Sequence, residues 1–316
     1  MRKFSPVFYV SALICALFVI WGLIFPKNMQ TVTAQLTTWI SDSFGWYYLI
    51  VVAVMLVFCI YILFSPFGDI KLGEPDEAAE FSLPSWFAML FSAGMGMGLV
   101  FWTTSEPISH AFKSAPESKE GSKAAISEAM QYSFFHWGIH AWAVYGVVAL
   151  ALAYFSFYKG YPGLISATLV PLFGEKRMAG PLGKLIDILA IIATVMGVAA
   201  TLGFGAAQIN EGLKYLFNVP SNFMVQVIIL IVSTVLFTWS AWSGIDKGIK
   251  MLSNINMGLG FILLLLLFIV GPSLYILNMF TDTLGRYIAN FLDMTLRTEA
   301  MSTEKRAWIN GWTIFY

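Results

Sequence analysis

Trp137, Trp142 and Tyr145 lie in the middle of an uncharged stretch, Ala129 to Tyr158, that is long enough to cross a bilayer. Membrane helices usually keep Trp and Tyr at the headgroup level, where the ring is apolar and its polar tip stays wet. Three such rings at depth therefore call for another role. One is a box for a cation, because the negative ring faces attract a quaternary ammonium group by about 0.5–2 kcal/mol per contact, most where water is excluded. The alternative is packing against neighbouring helices. On a continuous helix Trp142 lies about 140° and Tyr145 about 80° around the wheel from Trp137, so the three rings share one broad face.

A second constellation precedes the first. The run Ser92-Ala93-Gly94-Met95-Gly96-Met97-Gly98-Leu99 places glycine at every second position in the middle of an apolar segment. Glycine is a poor helix former, so the run invites local unwinding. Unwound backbone at mid-membrane offers carbonyls to a cation and amides to an anion, and it is tolerated only where it lines a protein cavity. Gly94 and Gly98 also make a GxxxG packing face. Gly96 lies off that face, which favours unwinding.

The remaining polar residues carry weaker signals. His136 and His140 have a spacing that suits a metal if acidic or further histidine ligands join them. None is near in the sequence, so hydrogen bonds across helices are expected instead, and His110 is expected in a loop. Thr194 and Thr201 read as hydroxyls bonded back to their own helix, with Thr194 also a candidate cation ligand. Glu106, followed by Pro107, ends the third apolar run and faces water, a salt bridge or a gate. Asp187 is expected to cap the amino end of the fifth span. Cys15 and Cys59 fall inside apolar runs and read as packing residues. No serine, cysteine or histidine constellation suggests a hydrolase and no glycine loop suggests a nucleotide, so the chain does not read as an enzyme; an intramembrane metalloenzyme built on His136 and His140 is the rival class.

The elements that must position these residues follow from composition. Hydrophobic residues make up 58% of the chain and charged residues 11%, with a mean hydropathy of +0.75. That balance identifies an all-α polytopic membrane protein. Seven charge-free runs are long enough to span: residues 4–26, 43–68, 81–105, 129–158, 188–210, 215–245 and 251–281. Their continuity, without the alternation of barrel strands, predicts helices. Residues 1–68 read as two peripheral helices, 69–83 as an acidic connector, and 84–280 as spans three to seven. Leu284, Tyr287, Ile288, Phe291, Leu292 and Leu296 recur at helical steps, predicting an interfacial amphipathic helix over 281–298. An eighth span begins over 307–316 and is cut at Tyr316, the pattern of a truncated product or a fragment. Lys and Arg split evenly across the predicted sides, but Lys159, Lys176, Arg177, Lys184, Lys247 and Lys250, with Arg2 and Lys3, favour a cytoplasmic amino terminus. Net charge is zero and nothing points to nucleic acid.

Taken together these segments resemble the betaine/carnitine/choline transporter family over essentially the whole chain. Three motifs carry the likeness: the glycine run with Ser105-Glu106-Pro107; His136-Trp137-Gly138-Ile139-His140-Ala141-Trp142-Ala143-Val144-Tyr145; and Gly311-Trp312-Thr313-Ile314-Phe315-Tyr316. Ser243-Gly244-Ile245-Asp246-Lys247-Gly248-Ile249-Lys250, with Leu252-Ser253-Asn254, supports them. The resemblance implies an inverted-repeat sodium symporter fold of twelve helices, of which this chain holds two peripheral helices and the first repeat. It implies a substrate site for a quaternary ammonium group at Trp137, Trp142, Tyr145, Gly94, Met95, Gly96 and Gly98. It also implies sodium at backbone near Ser92 and Met95 and at Thr194, although Val198 stands where a second hydroxyl is expected. No cofactor beyond the coupling ion is implied, and the partners are the substrate, the bilayer and further copies in a homotrimer. Gly98 replaces the acidic residue of proton-coupled choline importers. The implied activity is therefore sodium-coupled uptake of glycine betaine across the plasma membrane for osmoprotection, with choline or carnitine transport, or a non-transporting remnant, as alternatives.

Overall fold

The computed structural model describes residues 5–73, 76–94 and 96–314, with backbone alone at 93, 94, 97–99 and 246. Among the described residues every regular element is helical. Helix α1 (Pro6–Ile24) is capped by Ser5, whose side chain accepts from the Phe8 amide, and Pro6 opens it where a missing N–H costs nothing. Helix α2 (Pro26–Phe64) has 39 residues. At 1.5 Å per residue it is about 58 Å long, well beyond a hydrocarbon core of about 30 Å. It starts earlier than the second apolar run because its polar first half satisfies its own hydroxyls. Thr31, Thr33, Thr37 and Ser41 donate to carbonyls one turn back.

The third apolar run is two helices, α3 (Leu83–Gly94) and α4 (Met97–Phe112), and the fourth is also two, α5 (Lys123–His136) and α6 (Ile139–Ala153). Three short helices follow, α7 (Ile165–Thr168), α8 (Val170–Phe173) and α9 (Glu175–Met178), and then the long α10 (Pro181–Phe217), α11 (Phe223–Trp242) and α12 (Lys250–Val270). Six helical segments among the described residues are long and apolar enough to cross a membrane. The third predicted span is missing from that set because its break leaves neither α3 nor α4 long enough. Leu259, Phe261, Ile262, Leu264, Leu266, Leu267, Ile269 and Val270 of α12 are all exposed, a surface that lipid tolerates and water does not. The chain is a multi-pass membrane protein.

Gly271 and Pro272 end α12, so the amphipathic segment begins earlier than its charge pattern suggests, as α13 (Ser273–Ala289) followed by α14 (Phe291–Leu296). After it comes α15 (Thr303–Gly311). Helix α4 packs on α5, α3 on α12, α2 on α6, α1 on α10 and α13 on α5. The buried cluster Tyr132, Phe135, Tyr287, Met294 and Ile309 forms where α5, α13, α14 and α15 meet. Arg297 holds this corner to the α4–α5 connection by pairing with Glu117 and with Asp293.

Asp187 does not cap its own helix, which begins six residues earlier at Pro181. Its carboxylate instead accepts from the amide of Ser166 at 3.0 Å and from the Ser166 hydroxyl at 2.8 Å, at the first turn of α7. The helix-dipole argument holds, but for a neighbouring helix that the charge pattern did not reveal. Both partners are buried. Asp187→Ala strands a buried amide and a buried hydroxyl, so thermal unfolding in detergent should report a loss of about 1–3 kcal/mol. An unchanged transition would show that α7 does not depend on this bond.

Candidate functional site

The glycine run opens the third span where its composition predicts. Helix α3 stops at Gly94, α4 starts at Met97, and Gly96 between them is extended, with φ −83° and ψ −174°. A Cβ at Gly96 would meet nothing within 4 Å, so the break borders open space. Met95 lies outside the described residues, and of Gly94 and Gly98 only the backbone is described. A helix end and a helix start leave carbonyls and amides without partners inside their own helices, and the opened segment brings the two within a few residues of each other. Ser92 sits in the last turn of α3. Its hydroxyl donates to the Ser253 carbonyl at 3.2 Å and accepts from Asn256 at 3.3 Å, which fastens this end of α3 to α12.

The fourth span is also broken, and this differs from the continuous helix assumed for the aromatic face. Helix α5 ends at His136, Trp137 caps it at φ −100° and ψ 2°, and Gly138 is extended. The wheel therefore holds for Trp142 and Tyr145, which share α6 with ring centroids 5.9 Å apart. It does not extend to Trp137. Phe91, in the last turn of α3, joins the pair at 5.2 Å from Trp142. Trp142 is 38% exposed and Tyr145 62%, so both rings have area left for a ligand or a further helix. Trp137 is placed by its indole N–H, which donates to Glu106 Oε2 at 2.7 Å.

Glu106 is the residue whose partners the sequence hid. Helix α4 runs on through Pro107 to Phe112, so His110 lies on a helix rather than in a loop, one turn beyond Glu106. Both are fully buried. Glu106 Oε1 lies 2.5 Å from His136 Nδ1 and 3.2 Å from His110 Nε2. An acidic partner for His136 thus comes from another helix, thirty residues away in sequence, in line with the expected hydrogen bonding across helices. An ionised carboxylate only accepts, so His136 carries its proton on Nδ1 and takes the Thr313 hydroxyl proton on Nε2, at 3.0 Å. His140 faces elsewhere, because the helix break separates it from His136. Its Nε2 is 2.8 Å from Thr295 Oγ1, whose own proton goes to the Phe291 carbonyl. The two histidines of the rival metalloenzyme reading, His136 and His140, are therefore not brought together. The ligand atoms of Glu106, His110 and His136 do lie within 4.8 Å of one another. Two histidines and a carboxylate suit a divalent metal by type, and here Glu106 is hydrogen-bonded to both histidines, while His110 Nδ1 has no hydrogen-bond partner among the described residues. Trp308 and Trp312 close over the group, with ring centroids 5.0 and 4.4 Å from His110.

Thr194 follows its plainer reading, donating to the Ala190 carbonyl at 2.8 Å. It lines a cavity of about 1050 Å³ with Ser11, Cys15, Ser166 and Asp187, between α1, α7 and α10. Ser92 and Thr194 are thus held by different helices, the first against α12 and the second beside α1.

Residues 6–316 match the betaine/carnitine/choline family transporter, BCCT. The chain belongs to this family. The glycine betaine transporter OpuD of Bacillus subtilis is 54% identical over all 316 residues, which cover 62% of its own length. An ectoine/hydroxyectoine transporter of Virgibacillus pantothenticus is 44% identical over 99% of this chain, and it too is covered over 62% of its length. A high-affinity choline transport protein of Escherichia coli is 38% identical over 99% of this chain and 46% of its own length. The chain thus spans about half to three-fifths of the length of these BCCT relatives.

Against the residues the BCCT likeness implies, the structure brings Trp142 and Tyr145 together, adds Phe91, and anchors Trp137 to Glu106. Phe91 carried no signal of its own, being one apolar residue in an apolar run. Glu106 did carry one. A carboxylate next to a membrane span must find partners, and two histidines inside or beside apolar runs were the available donors.

Proposed function

We propose that this chain forms the substrate-facing first half of a secondary transporter that imports glycine betaine with sodium, serving osmoprotection. The observation that carries the reading is the opened third span at Gly96 beside the Phe91, Trp142 and Tyr145 rings. The rings suit the trimethylammonium head, and the amides of the first turn of α4 suit the substrate carboxylate. Gly98 adds no acidic side chain, which favours a zwitterion over choline. The carbonyls ending α3, near Ser92 and Met95, are the sodium ligands of this reading, with Thr194 as a second position. The protein acts in the plasma membrane with its amino terminus in the cytoplasm, assembled as a homotrimer, and an inward sodium gradient sets the direction of rocking between outward- and inward-facing states.

The test is uptake of labelled glycine betaine by the protein, expressed from its source gene and reconstituted in liposomes. Uptake should require an inward sodium gradient, and an equal concentration of choline should compete poorly, as expected for a difference of about 2–3 kcal/mol. Uptake driven by a proton gradient without sodium would overturn the coupling. Choline outcompeting betaine would overturn the substrate.

A further inference from the structure

Helix α5 stops at His136 and α6 starts at Ile139, so Trp137 belongs to neither helix and its backbone alone does not aim its ring. The side chain is aimed by its tip. The indole N–H donates to Glu106 Oε2 at 2.7 Å, and the other carboxylate oxygen takes His136 and His110. Glu106 and His110 are fully buried and His136 nearly so. We infer that Glu106 is the positioning residue of the quaternary-ammonium site, fixing the Trp137 indole at the break in the fourth span and tying it, through His136 and Thr313, to the start of the eighth. This rests on the reading of Trp137 as one wall of that site.

The chemistry supports a carboxylate at this place. A hydrogen bond from the indole nitrogen uses the edge of the ring and does not consume its π faces, so the anchored ring keeps them for a cation. Donation to an anion is shorter and about twice as strong as donation to a neutral acceptor, and it pushes electron density into the ring, which strengthens attraction for a cation. A carboxylate has acceptor capacity for all three donors at once, whereas an amide would turn an NH2 towards one of them. The link onward is continuous: Glu106 Oε1 to His136 Nδ1 at 2.5 Å, then His136 Nε2 to Thr313 Oγ1 at 3.0 Å. Trp308 and Trp312, on the same stretch as Thr313, cover the group. A movement of that stretch therefore bears on the indole through three hydrogen bonds.

A double-mutant cycle tests this on the full protein in detergent, with glycine betaine binding read by calorimetry. Glu106→Gln removes the charge at nearly constant volume, and Trp137→Phe keeps an aromatic face but removes the N–H. Each should weaken binding by about three- to ten-fold, and the double variant should bind no worse than the weaker single, because both remove the same link. Losses that multiply in the double variant would overturn the proposal, since Glu106 would then act elsewhere. If Glu106→Gln does not fold, Thr313→Val takes its place in the cycle, removing the far end of the same link. It should weaken binding in the parent and add nothing to Trp137→Phe, and losses that multiply would again overturn the proposal. Failure of the site reading looks different: Trp137→Leu would leave betaine affinity unchanged, and the proposal would fall with it.

Discussion

Trp137→Leu should weaken glycine betaine binding by up to about thirty-fold, the equivalent of about 2 kcal/mol for one desolvated cation–π contact. Leucine keeps apolar bulk next to the break and removes the π face, so the loss measures the face rather than a void. The decisive comparison is a second ligand, 3,3-dimethylbutanoate, which has the shape and carboxylate of betaine with carbon in place of the cationic nitrogen. The parent protein should prefer betaine strongly, and the Trp137→Leu variant should lose most of that preference. Equal weakening of both ligands would mean that Trp137 supplies shape and not charge recognition. Trp142→Leu should cost less, because Phe91 at 5.2 Å and Tyr145 at 5.9 Å remain as faces on the same wall. The Glu106 carboxylate keeps His110 and His136 as donors in the Trp137→Leu protein, so the fold should survive the change.

How much of this was legible in the sequence depended on whether the cause of a feature was local. The opening at Gly96 was legible, because three glycines at alternate positions weaken a helix whatever surrounds them. All-helical spanning segments were legible from apolar run length alone. The break at Trp137–Gly138 was not, since one glycine in an apolar run does not break a helix, and the causes here are tertiary. Gly138 is approached by Tyr287 of α13, a residue far away in the chain. Pro107 misled in the opposite direction. It read as the end of the third span, but α4 continues through it, and this puts His110 and Glu106 on one helical face and makes their pairing possible. Asp187 was recognised as a capping carboxylate, but the helix it caps, α7, is only four residues long and too short to leave a pattern. The acidic partner of His136 was hidden by distance along the chain, being thirty residues away in sequence and 2.5 Å away in space.

The break in the fourth span also makes a steep prediction about a residue with no chemistry of its own. A Cβ at Gly138 would lie inside the van der Waals surface of the Phe134 carbonyl oxygen and 3.0 Å from Tyr287 Oη. The carbonyl belongs to the backbone of α5 and cannot retreat alone. Tyr287 cannot retreat cheaply either, being buried with Tyr132, Phe135, Met294 and Ile309. Gly138→Ala must therefore displace α5 from α6, at a cost of about 1–3 kcal/mol by the general behaviour of overpacked sites. The hinge that moves carries Trp137, so betaine affinity should fall together with the unfolding temperature. Two other glycines separate this effect from a general intolerance of alanine. Gly146→Ala would meet only Cys59 Sγ at 3.5 Å, an ordinary contact, and Gly197→Ala would meet nothing within 4 Å. Both should melt at or above the parent temperature, since alanine in a helix interior is favoured over glycine by about 0.8–1.0 kcal/mol. A Gly138→Ala protein that melts and binds like its parent would show that the fourth span needs no break, and that the position of Trp137 is set by Glu106 alone.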